Sequence, residues 1–232
     1  MSNALLTTAS IAAPLAFREN RFLRRIALCI AAVMLVSAYR PEEVDDWFME
    51  NSLVFFGLGV LCFTYRKLAL SDLSYLFIFA FLVLHEWGAH YKYSDVPLGE
   101  WMKPWLHTGR NDYDRVAHFG FGLLGAYPMQ EMFLRSAGVR SAWRYILPVE
   151  LTLALSAIYE MLEALMASIL TPTRAEEFVG MQGDIWDSQK DMFMAGLGAV
   201  LAMILIAAVR RARERSQTAR EREMVMTARM GK

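Results

Sequence analysis

Six apolar runs, each about as long as a bilayer-crossing helix, constrain this chain more than any other feature. They read as spans over Phe22–Tyr39, Trp47–Tyr65, Leu73–His90, Tyr113–Leu134, Tyr145–Leu170 and Gln189–Val209. A hydrocarbon core about 30 Å thick is crossed by roughly 20 helical residues. Pro41 and Pro172 mark two of the stops, because a residue without a backbone N–H cannot continue the hydrogen-bonded turn. With 56% hydrophobic residues and a mean hydropathy of +0.27, the chain is too apolar for an ordinary soluble domain. The expected fold class is all-α: an integral membrane bundle of about six transmembrane helices over residues 22–209. A mobile N-terminal tail is expected at 1–21 and a basic cytoplasmic tail at 210–232. No internal repeat and no second domain is visible.

Charge placement sets the expected orientation. The formal net charge is zero, but putting both termini inside leaves 17 of the 24 Lys and Arg on the inner side. Positive charge resists translocation, so the chain is read as N-in and C-in. The first run lies behind Arg18, Arg21, Arg24 and Arg25 without a small-residue cleavage site, and reads as a retained helix. Cys29 and Cys62 fall inside apolar runs and read as small hydrophobes, neither a disulfide nor a zinc pair. The basic tail suits anionic lipid heads, and nucleic acid is not expected as a partner. Trp101 and Trp105, in the long connection after the third span, suggest a segment lying on the bilayer surface.

This orientation brings unusual residues to one face. His85, Glu86 and His90 end the third span, and Asp114, Arg115 and His118 begin the fourth. Glu160 and Glu163 lie in the outer half of the fifth, and Asp184, Asp187, Gln189, Lys190 and Asp191 surround the start of the sixth. Charge within a span is costly and ordinarily faces a cavity, a partner or a metal. Asp114 with His118, and Asp187 with Asp191, are spaced i, i+4; Glu160 with Glu163 are i, i+3, so each pair shares a helix face. Imidazole with carboxylate suits Zn or another first-row ion, and carboxylates alone suit Mg or Mn. The expected ligands of a divalent metal (Zn, Mn or Mg) are His85, His90, Asp114, His118, Glu160, Asp184, Asp187 and Asp191. Glu86 and Glu163 are candidate general bases. Arg115, Gln182, Gln189 and Lys190 are candidate ligand-binding groups.

Each feature also has a plainer explanation. A lone His at a helix end is ordinarily structural, and His107 belongs there. Glu160 and Glu163 alone would read as an interhelical hydrogen-bonding pair. Asp187 and Asp191 alone would read as helix-start acids. HEWGAH is not the zinc-protease HExxH, since its second His is displaced by one residue. These explanations weaken when they must hold on four helices at one depth. Gly120, Gly122, Gly125, Gly196 and Gly198 are expected to let helices approach closely.

Four motifs in order, HEWGAHYKYSDVPLG, RNDYDRVAHFGFG, SAIYEMLEAL and GMQGDIWDSQKDM, resemble the YjdF-like family of bacterial inner-membrane proteins over about Leu84–Ala202. More distantly, DRVAHFGFG, the Tyr-Glu helix and the Asp-initiated last helix are similar to VanZ-like membrane proteins, although the aromatic connection Tyr91–Thr108 departs from that pattern. The resemblance implies a multi-pass protein of the bacterial inner membrane with Asp114, His118, Glu160, Asp187 and Asp191 in its polar motif. It implies no particular reaction. The expected function is a His/Asp/Glu site at the periplasmic face that binds a metal or a lipid or envelope headgroup. Two alternatives stand beside it. One is a metal-assisted hydrolase or transferase acting on a lipid-linked envelope substrate. The other is a transporter or ion pathway, which would need polar residues carried through to the inner side.

Overall fold

Local chemistry sets the helix boundaries in the computed structural model, which describes residues 16–179 and 181–230. Among these residues every regular element is helical: α1 (Arg21–Ser37), α2 (Val44–Thr64), α3 (Asp72–Tyr91), α4 (Pro97–Leu106), α5 (Tyr113–Ser136), α6 (Trp143–Ile169), α7 (Pro172–Val179) and α8 (Asp187–Met230), with a 3-10 turn at Tyr93–Asp95. The Asn20 side chain caps α1 by accepting from the Leu23 N–H at 2.9 Å, and Ser71 Oγ caps α3 at the Ser74 N–H. Pro97 opens α4, where its missing N–H costs nothing. The connection between α5 and α6 turns through Gly138 at φ +59°, a conformation that favours glycine.

Six long helices stand where six spans were expected, but four are both long and apolar enough to cross a membrane. These are Val44–Thr64, Asp72–Tyr91, Trp143–Ile169 and the Asp187–Arg220 part of α8. The other two differ for identifiable reasons. α1 has 17 residues, with three arginines in its first five. α5 carries Asp114, Arg115, Glu131 and Arg135, and it is the central helix, packed against α3, α6 and α8. A helix surrounded by protein need not be apolar all round. The described architecture is therefore an all-α bundle with several membrane spans.

The expected N-terminal tail lies outside the described residues up to residue 15, and the helix begins at Arg21. The basic segment after Val209 continues α8 without a break. Large apolar side chains such as Phe55, Phe56, Phe63, Leu165, Ile169, Phe193 and Ile204 are exposed, which suits an outer surface bathed in hydrocarbon rather than water. Cys29 and Cys62 are free and exposed on that surface.

The closest packing is between α5 and α8, which run parallel although α6 and α7 separate them in sequence. A Cβ on Gly122 would lie 1.9 Å from the Ala195 carbonyl oxygen, and one on Gly198 would lie 2.2 Å from the Phe119 carbonyl oxygen. Backbone meets backbone at both points, so only glycine fits. Ala126, Ala199, Ala202 and Met203 extend this seam. Gly125 meets only ordinary side-chain contacts. At the opposite end of α5 from Asp114, Glu131 accepts from the Ser71 N–H and Oγ, bonds Ser74 Oγ and pairs with Arg135 at 2.5 Å. It is a cap for the start of α3 and is fully engaged there.

Candidate metal centre

Parallel packing of α5 and α8 brings their N-termini together, and both begin with aspartates. Asp114 lies in the first turn of α5, and Asp187 and Asp191 in the first two turns of α8. One carboxylate oxygen from each lies within 4.8 Å of the other two. Asp187 and Asp191 are buried, and Asp114 is half-buried. Two helix N-termini favour negative charge here, but dipoles alone do not hold three carboxylates together out of water. Asp191 Oδ1 is sealed from solvent and has no hydrogen-bond partner.

Three cations stand on one side of this cluster. Arg110 forms a bidentate pair with Asp187 and lies 3.3 Å from Asp112 and 3.7 Å from Asp184. Arg115 reaches Asp112 at 2.8 Å, Asp184 at 2.6 Å and Asp187 at 3.6 Å, and Lys190 reaches Asp184 at 2.5 Å. The Lys190 hydrogen bond holds the Asp184 carboxyl down at about 2. Five carboxylates, those of Asp112, Asp114, Asp184, Asp187 and Asp191, therefore face three cations. Carboxylates therefore outnumber cations around the triad even before Glu160 on the α6 side is counted, an excess that a bound cation would offset. Each carboxylate oxygen of Asp187 retains a free lone pair beside its arginine bond, so pairing with Arg110 leaves it able to ligate.

His118 joins the cluster to α6. Its Nε2 lies 3.5 Å from Asp114 and 3.2 Å from Glu160, and its Nδ1 lies 3.2 Å from Ser156 Oγ. Tyr159 packs edge-on against the imidazole at 5.7 Å, and its hydroxyl donates to Glu50 of α2. On α3, His85 bonds through Nδ1 to the Tyr93 hydroxyl at 2.7 Å, while its Nε2 is buried without a partner. Burial pushes the Tyr93 phenol well above its ordinary value, so it stays neutral and can donate to that imidazole.

A polar strap holds the connection to α5 against the segment before α8. The Asn111 N–H donates to Gln182 Oε1 at 2.9 Å, and Gln182 Nε2 donates to the Asn111 carbonyl at 3.1 Å. The Asn111 amide also donates to the Val96 carbonyl and to Glu100, and its oxygen accepts from the Tyr113 N–H. A Cβ on Gly99 would lie 1.5 Å from that amide oxygen, so α4 is held tightly against this fully buried asparagine.

The expected site residues fall into groups. Asp114, Asp187 and Asp191 meet directly, with His118 and Glu160 adjoining them. Glu163 is half-buried one turn beyond Glu160, within electrostatic reach of Asp114 and Asp191. Asp184, Arg115 and Lys190 form the ion-pair wall, and Gln182 forms the strap. Gln189 is exposed. His90 bonds the Ser37 carbonyl at the end of α1, and Glu86 is surrounded by Ser37, Trp47 and Asn51. The structure does not bring these last three into the aspartate cluster. Sequence reasoning missed Arg110, Glu50, Tyr159 and Asn111. For Glu50 the signal was its i, i+4 spacing from Asp46, hidden because α2 was read as starting after Asp46.

Comparisons with known proteins agree with a helical bundle that spans a membrane. A family model described as "Predicted membrane protein (DUF2238)" matches residues 22–212. The chain is also similar to the inner membrane protein YjdF of Escherichia coli K12. The identity is 34% over 182 residues, covering 78% of this chain and 87% of that protein. No solved structure matches.

Proposed function

This chain belongs to the DUF2238 family of predicted membrane proteins, and we propose that its work is done by a divalent metal ion held between α5 and α8. It is a multi-pass protein of the bacterial inner membrane. The observation that carries the reading is the aspartate triad, one member of which, Asp191, also has a buried carboxylate oxygen without a hydrogen-bond partner. Asp114, Asp187 and Asp191 would be the ligands, with His118 and Glu160 completing the set on the α6 side. A donor set rich in carboxylate oxygen with one imidazole nearby favours Mn or Mg over Zn.

The chain's own residues supply what surrounds the ion. Arg110 and Arg115 orient Asp187. Ser156 Oγ lies 3.2 Å from His118 Nδ1, and with the Nδ1–H tautomer donating to it the ring would be fixed with Nε2 free to ligate. Trp101, Trp105, Ile185 and Trp186 are exposed around the connections next to the site, as suits a rim in contact with membrane lipid. With both termini inside, the site faces the periplasm at headgroup depth. A lipid or lipid-linked envelope headgroup is then the class of ligand in reach, its phosphate drawn to the ion. A bound ion would supply Lewis-acid polarisation of a phosphoryl or carbonyl oxygen.

His118 between Asp114 and Glu160, with Glu163 one turn away, favours a second reading: metal-assisted hydrolysis or transfer on that headgroup. Elemental analysis of the detergent-purified protein beside an Asp187→Ala, Asp191→Ala double variant tests the metal. Near-stoichiometric Mn, Mg or Zn in the native chain and none in the variant is expected. After purification without chelator and dialysis against Mn²⁺, metal absent from both proteins would overturn it.

A further inference from the structure

The face of α5 that carries Asp114 and His118 continues inward through Phe121 and Gly125, at i+7 and i+11 from Asp114. The four residues form one stripe about 16 Å long. Among the described residues, α3 and α6 both pack on α5 but have no extended packing against each other, and α2 has none against α5 or α6. The stripe is therefore the floor of a cleft between α3 and α6. α2 stands over it, since Glu50 accepts from the Tyr159 hydroxyl of α6. Tyr93 and Tyr159 lie within electrostatic reach of Glu50, Glu163 and Asp114, so the outer end of the cleft is ringed by polar groups. Deeper in, the lining is apolar and loose. Phe121 meets Phe81 of α3 at 5.3 Å, and both stay partly exposed. The three atoms nearest a Cβ on Gly125 all belong to Phe121 and Met129 of its own helix. A Cβ on Gly57, seven residues along α2 from Glu50, would meet nothing within 4 Å. Pro128, seven residues beyond Phe121, is buried and closes the inner end.

We propose that this cleft holds one hydrocarbon chain of a membrane lipid, with the headgroup end of that lipid at Asp114 and His118. The inference deepens the headgroup reading above and rests on it for what lies at the polar end. The order of the lining matches an amphiphile: carboxylates, imidazole and phenols at headgroup depth, then aromatic rings and bare glycine backbone. Space of this kind inside a span fills with hydrocarbon, because water beside Phe121, Gly125 and Gly57 would find no side-chain partners. A second copy of the chain fits less well. It would have to bring a helix between α2 and α6, across the Glu50–Tyr159 bond and the 2.9 Å pair of Asp46 with Arg174 of α7. A single hydrocarbon chain is slim enough to lie beneath these bridges.

The test places the full-length protein in phosphatidylethanolamine–phosphatidylglycerol liposomes with a trace of phosphatidylglycerol bearing a diazirine at the end of one acyl chain. After irradiation, labelled peptides are mapped by mass spectrometry. Label on α5 around Phe121 and Gly125 is expected, beside the label that surrounding lipid leaves on exposed residues such as Phe63 and Ile169. Gly125→Trp fills the cleft and should lower the α5 label at least tenfold, with the exterior label and Mn²⁺ retention unchanged. Label confined to the exterior in the native chain, or undiminished on α5 in Gly125→Trp, would overturn the cleft. Should Gly125→Trp fail to fold, Gly57→Trp on the α2 side decides by the same readout. A disulfide between copies in Gly125→Cys, with Cys29 and Cys62 replaced, would put a second copy there and overturn it equally. The Asp187→Ala, Asp191→Ala variant separates the two readings: α5 label kept without metal leaves the cleft standing if the metal centre fails, and an unlabelled α5 in the metal-loaded native chain removes the cleft alone.

Discussion

At the scale of single residues, the chain spends its buried charge in two ways. Glu131 is satisfied outright by Ser71, Ser74 and Arg135, and its role is to start a helix. Asp191 is not satisfied, and its unpartnered oxygen is what marks a ligand site. Replacing Asp191 by Ala should therefore remove most of the bound metal while leaving the fold intact, read by metal content and circular dichroism; retained metal with the fold preserved would exclude Asp191 as a ligand. Arg110 is the reverse case. Arg110→Ala strips a buried partner from Asp187 and should cost roughly 3–5 kcal/mol in denaturant stability, because one charge is left buried without its mate. A loss under 1 kcal/mol would show that Asp187 is held by other means. Asp184 gives a pH signature. Its folded-state value, about 2, lies below the ordinary carboxyl value of 3.8, so its stabilisation is complete above 3.8 and disappears as pH falls through 2. Asp184→Asn should lower the melting temperature at pH 7, less in high salt because the group is at the surface, and the difference should shrink towards pH 2. A difference that grows on acidification would contradict the ion-pair account.

At the scale of helices, the seam between α5 and α8 decides whether the aspartates meet. Gly122 and Gly198 each touch opposing backbone, and no side chain can be moved aside to make room. Gly122→Ala or Gly198→Ala should force the helices apart, cost about 1–3 kcal/mol and weaken metal binding at the same time. Gly125→Ala, which meets only ordinary contacts, should do neither. Metal binding unchanged in a measurably destabilised Gly122→Ala would uncouple the seam from the site. Much at this scale was legible in the sequence. Apolar runs and proline stops located all six long helices, and i, i+4 spacing paired Asp114 with His118 and Asp187 with Asp191. What spacing could not supply was helix adjacency. Nothing in one chain says that α5 and α8, rather than α5 and α3, carry the facing acids, so His85, His90 and Glu86 looked equal to Asp187. The strap was hidden for a related reason: Asn111 works through backbone groups of segments distant in sequence.

At the scale of the molecule, the bundle is polar at its centre and apolar at its rim. α5 was expected to be a span like the others, yet it is the least lipid-like of the long helices because neighbours surround it. The orientation is read from Lys and Arg placement alone, and it fixes which compartment the aspartate site serves. With Cys29 and Cys62 replaced, Asp95→Cys should react with a membrane-impermeant maleimide in intact spheroplasts and Ser216→Cys only after permeabilisation. The reverse pattern would move the site to the cytoplasmic face and with it the class of headgroup in reach. The central claim, however, is the ion itself, and the most direct measurement is an anomalous difference map from crystals of the full-length protein grown with Mn²⁺. The account predicts one strong peak about 2.1 Å from oxygens of Asp114, Asp187 and Asp191, a distance usual for small divalent ions on carboxylates. A map with manganese elsewhere, or with no peak between α5 and α8, would contradict it.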